Sequence, residues 1–260
     1  MMQPHPLLQN PELDGRAFFW QGSTNGILLI HGFTATTVEI RPLAESFRQA
    51  GFSVAAPLLP GHGSTPADLN AQRWEEWTAA ADQSYQLLKS NCEHIFIGGE
   101  SLGGLLTLYL ASIHPEIAGV MLYAPALKVK RLWRSAFARF FLQTMTKKPS
   151  GDPPNPLPWQ GYKVFPVKAS YQLLLFQKQV YKRLAMVTQP ALIFQGEKDR
   201  TILPESSQIV FDTIHSQQKE LVTLENSGHC VILDQEYELV ISKSRAFVEA
   251  ILQKQGVHLS

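Results

Sequence analysis

Cysteine and long apolar runs are both scarce in this sequence of 260 residues. Its two cysteines, Cys92 and Cys230, are too few for a disulfide framework, and two separate thiols are typical of a reducing compartment. No apolar run approaches the roughly 18 residues that a membrane-spanning helix needs. The proline-interrupted N-terminus has neither the basic nor the apolar region of a signal peptide. The sequence therefore predicts a cytoplasmic location.

Charge of one sign is not in excess either, since the sequence has 23 Lys and Arg residues and 22 Asp and Glu residues. A protein that binds nucleic acid normally needs a basic face to neutralise phosphates, so this balance predicts no nucleic-acid partner. Hydrophobic residues make up 45% of the chain and charged residues 17%, as is ordinary for a globular enzyme. The length suits one compact domain with a modest insertion.

Internal repeats are also absent, and what recurs is an alternation of short apolar runs with longer helical patterns. The runs are rich in Ile, Val, Leu and Phe without polar alternation, which is typical of strands buried on both faces of a parallel sheet. They cover residues 26–31, 52–57, 94–99, 118–124, 191–196 and 220–225. This alternation predicts an α/β fold with a mostly parallel central sheet and helices on both faces.

Three helical segments can be distinguished, two of them by their ends and one by its apolar face. Pro42 can open the first helix, which Gly51 ends. A third begins directly after Ser101 and stops at His114, before a proline. The second carries an apolar face made of Trp74, Trp77, Tyr85 and Leu88.

One stretch, residues 128–188, breaks this rhythm because it has no buried-strand signal. It contains six prolines, Pro149, Pro153, Pro154, Pro156, Pro158 and Pro166. A helical pattern closes it, through Tyr171, Leu174, Val180 and Leu184. We interpret the stretch as a cap inserted over the sheet edge, with residues 1–127 and 189–260 forming the core.

The sharpest motif is G-x-S-x-G at residues 99–103, a nucleophile elbow centred on Ser101. Its glycines allow a very tight strand-to-helix turn that holds the serine in a strained backbone conformation. The strand and helix that the motif requires are predicted on either side. A dinucleotide-binding loop is excluded, because neither Gly98 nor Gly99 has a glycine two residues later.

A serine nucleophile needs a base, and His229 follows the last predicted strand, at the edge where this kind of sheet presents its functional residues. His31 follows the first strong strand and is assigned to a loop beside the nucleophile. The other six histidines lie near the termini, in a loop or at element boundaries, where a structural role is the default. They are His5, His62, His94, His114, His215 and His258.

The acid that orients the base should follow another strand, between nucleophile and base in the chain. Asp199 does so, directly after the run 191–196. Glu197 is the one close competitor, whereas Asp152 lies in the cap and Asp212 inside a helix. The acid holds the imidazole in the useful tautomer and stabilises the imidazolium.

Acyl transfer also requires donors for the negative oxygen of the tetrahedral intermediate. The loop His31-Gly32-Phe33 offers the Phe33 amide, which can pair with the Leu102 amide. The loss of one such donor typically costs about 3–4 kcal/mol of transition-state stabilisation. A plain tight turn is the alternative interpretation of His31-Gly32.

The loop, the elbow, Asp199 and His229, in this order, resemble the microbial carboxylesterase and monoacylglycerol lipase branch of the α/β-hydrolases. Residues 28–63 resemble the opening of that branch and residues 227–236 its histidine segment; the likeness covers most of 26–125 and 190–250. It implies the α/β-hydrolase fold and hydrolysis of short- to medium-chain esters, including monoacylglycerols, through an acyl-enzyme without a cofactor. Glu100 departs from the small or apolar residue expected there, and no role for it follows.

The resemblance also implies that the small cap forms the acyl pocket, and the cap has an apolar stripe at helical spacing. Either this stripe faces the active site or it packs the cap onto the body. We predict that the pocket is lined by His31, Trp133, Phe137, Phe140, Phe141, Met145, Ile202 and Cys230, and that no metal is bound. Seven basic residues between Lys128 and Lys148, with no acid among them, either attract anionic lipid surfaces or form a solvated face.

Other reactions would use the same three residues, namely carbon–carbon bond hydrolysis, perhydrolysis or acyl transfer. A dehalogenase or epoxide hydrolase is disfavoured because those enzymes need aspartate at the elbow. A non-catalytic ligand receptor on the same fold is the alternative from a different class. The oligomeric state is left open by the sequence.

Overall fold

A computed structural model of the protein describes residues 5–147 and 155–257. Its strands are β1 (Leu8–Gln9), β2 (Phe18–Trp20), β3 (Asn25–Ile30), β4 (Ser53–Ala56), β5 (His94–Glu100), β6 (Gly119–Tyr123), β7 (Thr144–Thr146), β8 (Gly161–Tyr162), β9 (Val164–Pro166), β10 (Ala191–Gly196) and β11 (Lys219–Leu224). Its α-helices are α1 (Arg41–Gln49), α2 (Pro66–Ala71), α3 (Trp74–Lys89), α4 (Leu102–Ile113), α5 (Ser135–Ala138), α6 (Val167–Tyr181), α7 (Glu205–Thr213) and α8 (Tyr237–Lys254). Short 3₁₀ turns occupy Thr37–Ile40, Leu132–Arg134 and Leu184–Met186. Several residues considered above lie outside the described ranges: Lys148, Pro149, Asp152, Pro153, Pro154 and His258.

The centre of the fold is a seven-stranded sheet with the order β11-β10-β6-β5-β3-β4-β2. All neighbouring strands are parallel except β2, which pairs antiparallel with β4. The six predicted apolar runs are the six parallel strands, and every residue of β3 and β10 is buried. The α/β prediction is therefore confirmed.

Helices cover both faces of this sheet, as the alternation predicts. One face packs against α3, α4, α6 and α7, through side chains that include Trp77, Leu106, Phe176 and Val210. The other face packs against α1 and α8, through side chains that include Phe47, Val240, Val248 and Leu252. Among the described helices, none combines the length and apolar character needed to cross a membrane.

The ends of α1 and α4 are close to those that the sequence predicts. Pro42 lies in the first turn of α1, and Gly51 follows the helix with φ +85°, a conformation that glycine adopts without steric cost. Helix α4 begins directly after Ser101 and ends before His114. These two helices follow β3 and β5 and so place the loops that carry Phe33 and Ser101.

The stretch between β6 and β10 is less regular than the core. We predicted no buried strand here, but three short strands are present: β7 pairs with β9, and β8 pairs with β1 near the N-terminus. Strands of two or three residues are too short to show a periodic pattern. Helix α6 packs into the core cluster through Leu173, Phe176 and Val180, so the cap shares its core with the body. Its limits at 128 and 188 remain a prediction.

Candidate active site

Ser101 occupies a sharp turn between β5 and α4. Its φ of 55° and ψ of −108° are strained for a residue with a side chain. The Ser101 amide donates to the Tyr123 carbonyl at 2.9 Å, which ties the turn to β6. A Cβ at Gly99 would overlap the backbone of Gly103, and a Cβ at Gly103 would overlap the Ile30 carbonyl oxygen. Both glycines of the motif are therefore needed for this turn.

His229 lies between Ser101 and Asp199 and is within hydrogen-bond distance of both. Its Nε2 is 3.1 Å from Ser101 Oγ, and its Nδ1 is 2.8 Å from Asp199 Oδ2. The three side chains follow β5, β10 and β11, whose carboxyl ends meet at one edge of the sheet. The structure therefore brings together the three residues that the sequence singles out.

Asp199 is held by the backbone that follows it. Its Oδ1 accepts the amides of Thr201 at 2.7 Å and Ile202 at 2.8 Å, which leaves Oδ2 for His229. Burial would raise the pKa of Asp199, but the charge and hydrogen bond of His229, with these amides, lower it below its ordinary value. Asp199 is thus an anion facing His229. The competing Glu197 is exposed to solvent.

The pKa of His229 moves in the opposite direction. Burial would lower it, but the charge and hydrogen bond of Asp199 raise it above the ordinary histidine value. Two acids that the sequence analysis overlooked hold the histidine loop: Asp234 accepts the Gly228 amide at 2.6 Å, and Glu236 accepts the Ser227 hydroxyl at 2.8 Å. Both acids belong to the segment 227–236, and in the sequence only the family resemblance of that segment points to a role for them.

His31 lies beneath the loop that follows β3 and is completely buried. Its Nδ1 donates to the Gly32 carbonyl at 2.9 Å, and its Nε2 accepts the Leu59 amide at 3.1 Å. Burial lowers the pKa of His31 to about 4, so the ring is neutral at physiological pH. The structure therefore places the His31 ring in the interior rather than in the predicted pocket. From this position the ring orients the Gly32–Phe33 peptide.

Two amides beside the nucleophile are available for a negatively charged oxygen. Within the described part of the chain, neither the Phe33 amide nor the Leu102 amide donates to a protein acceptor. Leu102 is the first residue of α4, where helix geometry leaves the amide unpaired and the helix dipole favours negative charge. These are the two donors that the sequence analysis selects for the oxyanion.

The remaining predicted pocket residues lie in different environments. Ile202 is buried in the core cluster, and what it contributes to the site is its amide to Asp199. Cys230 and Met145 are half-buried. The four aromatic residues of the cap are exposed by 60% (Trp133), 68% (Phe137), 68% (Phe140) and 87% (Phe141), so they neither pack onto the body nor enclose a pocket in this conformation.

Two buried acids near the nucleophile were not assigned from the sequence. Glu39 lies beneath Gly32 and accepts its amide. Glu100, directly before Ser101, is completely buried, and its carboxyl group lies beside the backbone of Val231 and Ile232, which follow the base. Burial and the nearby charge of Glu39 raise the pKa of Glu100 well above its ordinary value. Glu100 is therefore a buried acid, directly before the nucleophile, whose protonated form is favoured by its surroundings.

Comparison with known proteins gives consistent results. A thermostable monoacylglycerol lipase of Bacillus sp. (strain H-257) is 34% identical over 95% of this chain and 98% of its own length. A carboxylesterase of Bacillus subtilis (strain 168) is 28% identical over 91% of this chain and 97% of its own length.

Solved structures agree with these sequence relatives. A structure from work on LipS and LipT, two metagenome-derived lipolytic enzymes, has a TM-score of 0.87 and 33% identity, and covers 95% of this chain and 100% of its own. The monoacylglycerol lipase of Paleococcus ferrophilus has a TM-score of 0.72 at 21% identity, over 92% of this chain and 99% of its own, which supports the fold alone. The profile of the Alpha/beta hydrolase family matches residues 27–242. The chain therefore belongs to the α/β-hydrolase family, in its branch of microbial carboxylesterases and monoacylglycerol lipases.

Proposed function

We propose that the chain is a serine hydrolase of carboxylic esters, with Ser101 as nucleophile, His229 as base and Asp199 as the acid that orients the base. The observation that carries this proposal is the hydrogen-bonded chain from Asp199 through His229 to Ser101 Oγ. A serine hydroxyl is a weak nucleophile at neutral pH, and this arrangement supplies the base that takes its proton.

In the first half of the reaction, His229 Nε2 takes the Ser101 hydroxyl proton as Oγ attacks the ester carbonyl carbon. The carbonyl oxygen becomes an oxyanion, which accepts hydrogen bonds from the Phe33 and Leu102 amides. His229 then gives its proton to the leaving alcohol, and an acyl-enzyme remains on Ser101. In the second half, water loses a proton to His229 and attacks the acyl carbon; the bond from Ser101 Oγ to that carbon then breaks, and His229 returns the proton to Oγ as the acid leaves.

The substrates we propose are short- to medium-chain acyl esters, including monoacylglycerols. This proposal draws on the relatives named above as a monoacylglycerol lipase and a carboxylesterase, which match the chain over more than nine-tenths of their lengths. The chemistry needs no group other than side chains and backbone amides of this chain. Two separate cysteines support a cytoplasmic location as part of the proposal.

We further propose that the cap makes transient contact with lipid surfaces. Its four exposed aromatic side chains, called here the aromatic surface, are Trp133, Phe137, Phe140 and Phe141. Exposed cations accompany them at Lys128, Lys130, Arg131 and Arg134. Aromatic side chains that insert at a lipid interface, next to cations that attract anionic headgroups, are a combination typical of interfacial binding.

The test of the hydrolase proposal is hydrolysis of p-nitrophenyl esters from acetate to palmitate, together with a glycerol monoester. We compare the native protein with Ser101→Ala, and with Ser90→Ala as a matched control on an exposed serine. We expect activity on medium chains and on the monoester, loss of at least about 10³-fold in Ser101→Ala, and no loss in the control. Absence of ester hydrolysis in the native protein would contradict the proposal, and would favour the receptor or the carbon–carbon hydrolase.

A further inference from the structure

Glu39 is a buried acid with no place in the triad, and it contacts three parts of the site. The side chain is 3% exposed, in the 3₁₀ turn before α1. Its Oε2 accepts the Gly32 amide at 2.5 Å, and its Oε1 accepts the indole N–H of Trp159 at 3.0 Å. The Cys230 sulfur, next to the base, is 3.8 Å from Oε1. One carboxylate therefore joins the oxyanion loop, the cap and the histidine segment.

Lys147 of the cap contacts the same loop from its other side. Its Nζ donates to Thr34 Oγ1 at 2.6 Å and lies 4.6 Å from the centre of a Trp159 ring and 4.9 Å from that of Phe165. Burial lowers the pKa of Lys147 to about 8. Glu39 and Lys147 thus hold the residues immediately before and after Phe33, and Trp159 contacts both charged groups.

The position of Gly32 makes this contact relevant to the reacting atoms. A Cβ at Gly32 would lie 2.9 Å from Glu39 Oε2 and 3.3 Å from the Cβ of Ser101, so this glycine is close to both the carboxylate and the nucleophile. Glu39 fixes the Gly32 amide while His31 fixes the Gly32 carbonyl. Because each peptide unit is planar, the His31 contact sets the direction of the Phe33 N–H, whereas the Glu39 contact holds the peptide unit directly before it and so limits rotation at Gly32.

We propose that Glu39 is a positioning residue that holds the Phe33 amide in its oxyanion-binding orientation, and that Trp159 and Lys147 make this orientation depend on the cap. The inference rests on the proposed function, because it assigns Phe33 as an oxyanion donor. A donor stabilises the transition state only when it already points to the place where charge develops. Loosening of the loop should therefore lower kcat more than it changes KM.

The test begins with Glu39→Gln, which has nearly the same shape. Its single carbonyl oxygen can accept from Gly32 or from Trp159 but not from both, because its NH₂ group accepts from neither. We expect kcat to fall roughly 10- to 100-fold per titrated active site, with KM within about 2-fold of native. The affinity for an alkylboronic acid, whose adduct with serine resembles the tetrahedral intermediate, should fall in parallel with kcat/KM. Glu45→Gln, on an exposed residue of α1, is the matched control.

A double-mutant cycle tests the link to the cap. Trp159→Phe keeps an aromatic side chain, smaller than indole, but removes the indole N–H, so its effect on kcat should be smaller in the Glu39→Gln background than in the native background. A native kcat in Glu39→Gln would overturn the positioning role of Glu39. Simple additivity of the two substitutions in the cycle would overturn the link between Glu39 and the cap. If the native protein hydrolyses no ester, both the proposed function and this inference are wrong. If the native protein hydrolyses esters and Glu39→Gln has the same kcat, only this inference is wrong.

Discussion

His229 accepts a proton from Ser101 only while its Nε2 is unprotonated, so the pKa of this ring sets the acid limit of activity. That pKa is above 6.5, because the charge and hydrogen bond of Asp199 outweigh the effect of burial. A histidine with a raised pKa keeps its proton to higher pH. We therefore expect kcat/KM to rise with pH through the His229 pKa and then to level off.

Asp199→Asn should move this rise of kcat/KM, the acid limb of the pH profile, to lower pH. The reason is that the imidazolium of His229 loses its neighbouring anion. The substitution should also lower kcat by about 10⁴-fold, as the tautomer of His229 is no longer fixed. The measurement is kcat/KM across about pH 5 to 9, with Asp212→Asn on an exposed residue of α7 as control. An acid limb that stays in place in Asp199→Asn would contradict the role of Asp199.

At the same scale, some site residues could be predicted from the sequence and others could not. Ser101, Asp199 and His229 each follow an apolar run, and parallel strands bring their carboxyl ends to one edge. Glu39 contacts Trp159 across 120 residues, and no local pattern signals such a contact. The sequence predicts His31 near the site, but only the structure shows that its ring is buried and hydrogen-bonded to the Leu59 amide and the Gly32 carbonyl.

At the scale of elements, the cap differs from the core in what its sequence reveals. Five of the six parallel strands are buried along nearly their whole length, so each is a continuous apolar run, whereas β11 at the sheet edge is mostly half-buried or exposed. Strand β2 is an edge strand of three half-buried residues, and β7, β8 and β9 have two or three residues each, so all four lack a readable pattern. The apolar residues of the predicted stripe lie on a 3₁₀ turn, on α5, in the loop after it and on β7, and their exposure depends on packing that the sequence does not determine.

The aromatic surface gives a prediction at this scale. Phe137→Ser combined with Phe141→Ser should weaken binding to phosphatidylglycerol vesicles at least roughly tenfold, since burying one Phe is worth about 1.5–3 kcal/mol. Hydrolysis of a water-soluble ester should stay at the native rate. Cosedimentation with vesicles measures the binding, and Leu87→Ser, on an exposed leucine of α3, is the control. Equal binding by the double variant and the native protein would rule out the contact.

At the scale of the whole molecule, Glu100 makes stability depend on pH. Because burial and Glu39 raise its pKa well above 4.5, this group supports the folded state below pH 4.5. That support is lost as pH rises toward the folded pKa, since the unfolded chain releases the proton more readily. The fold therefore carries a neutral acid directly before its nucleophile, at a cost in stability that increases with pH.

Glu100→Gln should remove this dependence, because an amide keeps the shape without the titration. The free energy of unfolding of the variant relative to native should increase by about 1.4 kcal/mol for each pH unit across that window. Urea unfolding at several pH values measures the difference, with Glu45→Gln as control. A difference that does not change with pH would show that Glu100 titrates alike in the folded and unfolded chains.

The pairing of β1 with β8 ties Leu8 and Gln9 to Tyr162 and Gly161. In addition, Gln160 Nε2 donates to the carbonyls of Asn10 and Leu13, so the segment that carries Trp159 rests on the N-terminal segment. During synthesis on the ribosome, residues 8–13 can form these contacts only after about 150 further residues have been made. Closing so long a loop is entropically costly, and contacts of such sequence separation form slowly. The nascent chain thus completes the support of its oxyanion loop only after the cap has emerged.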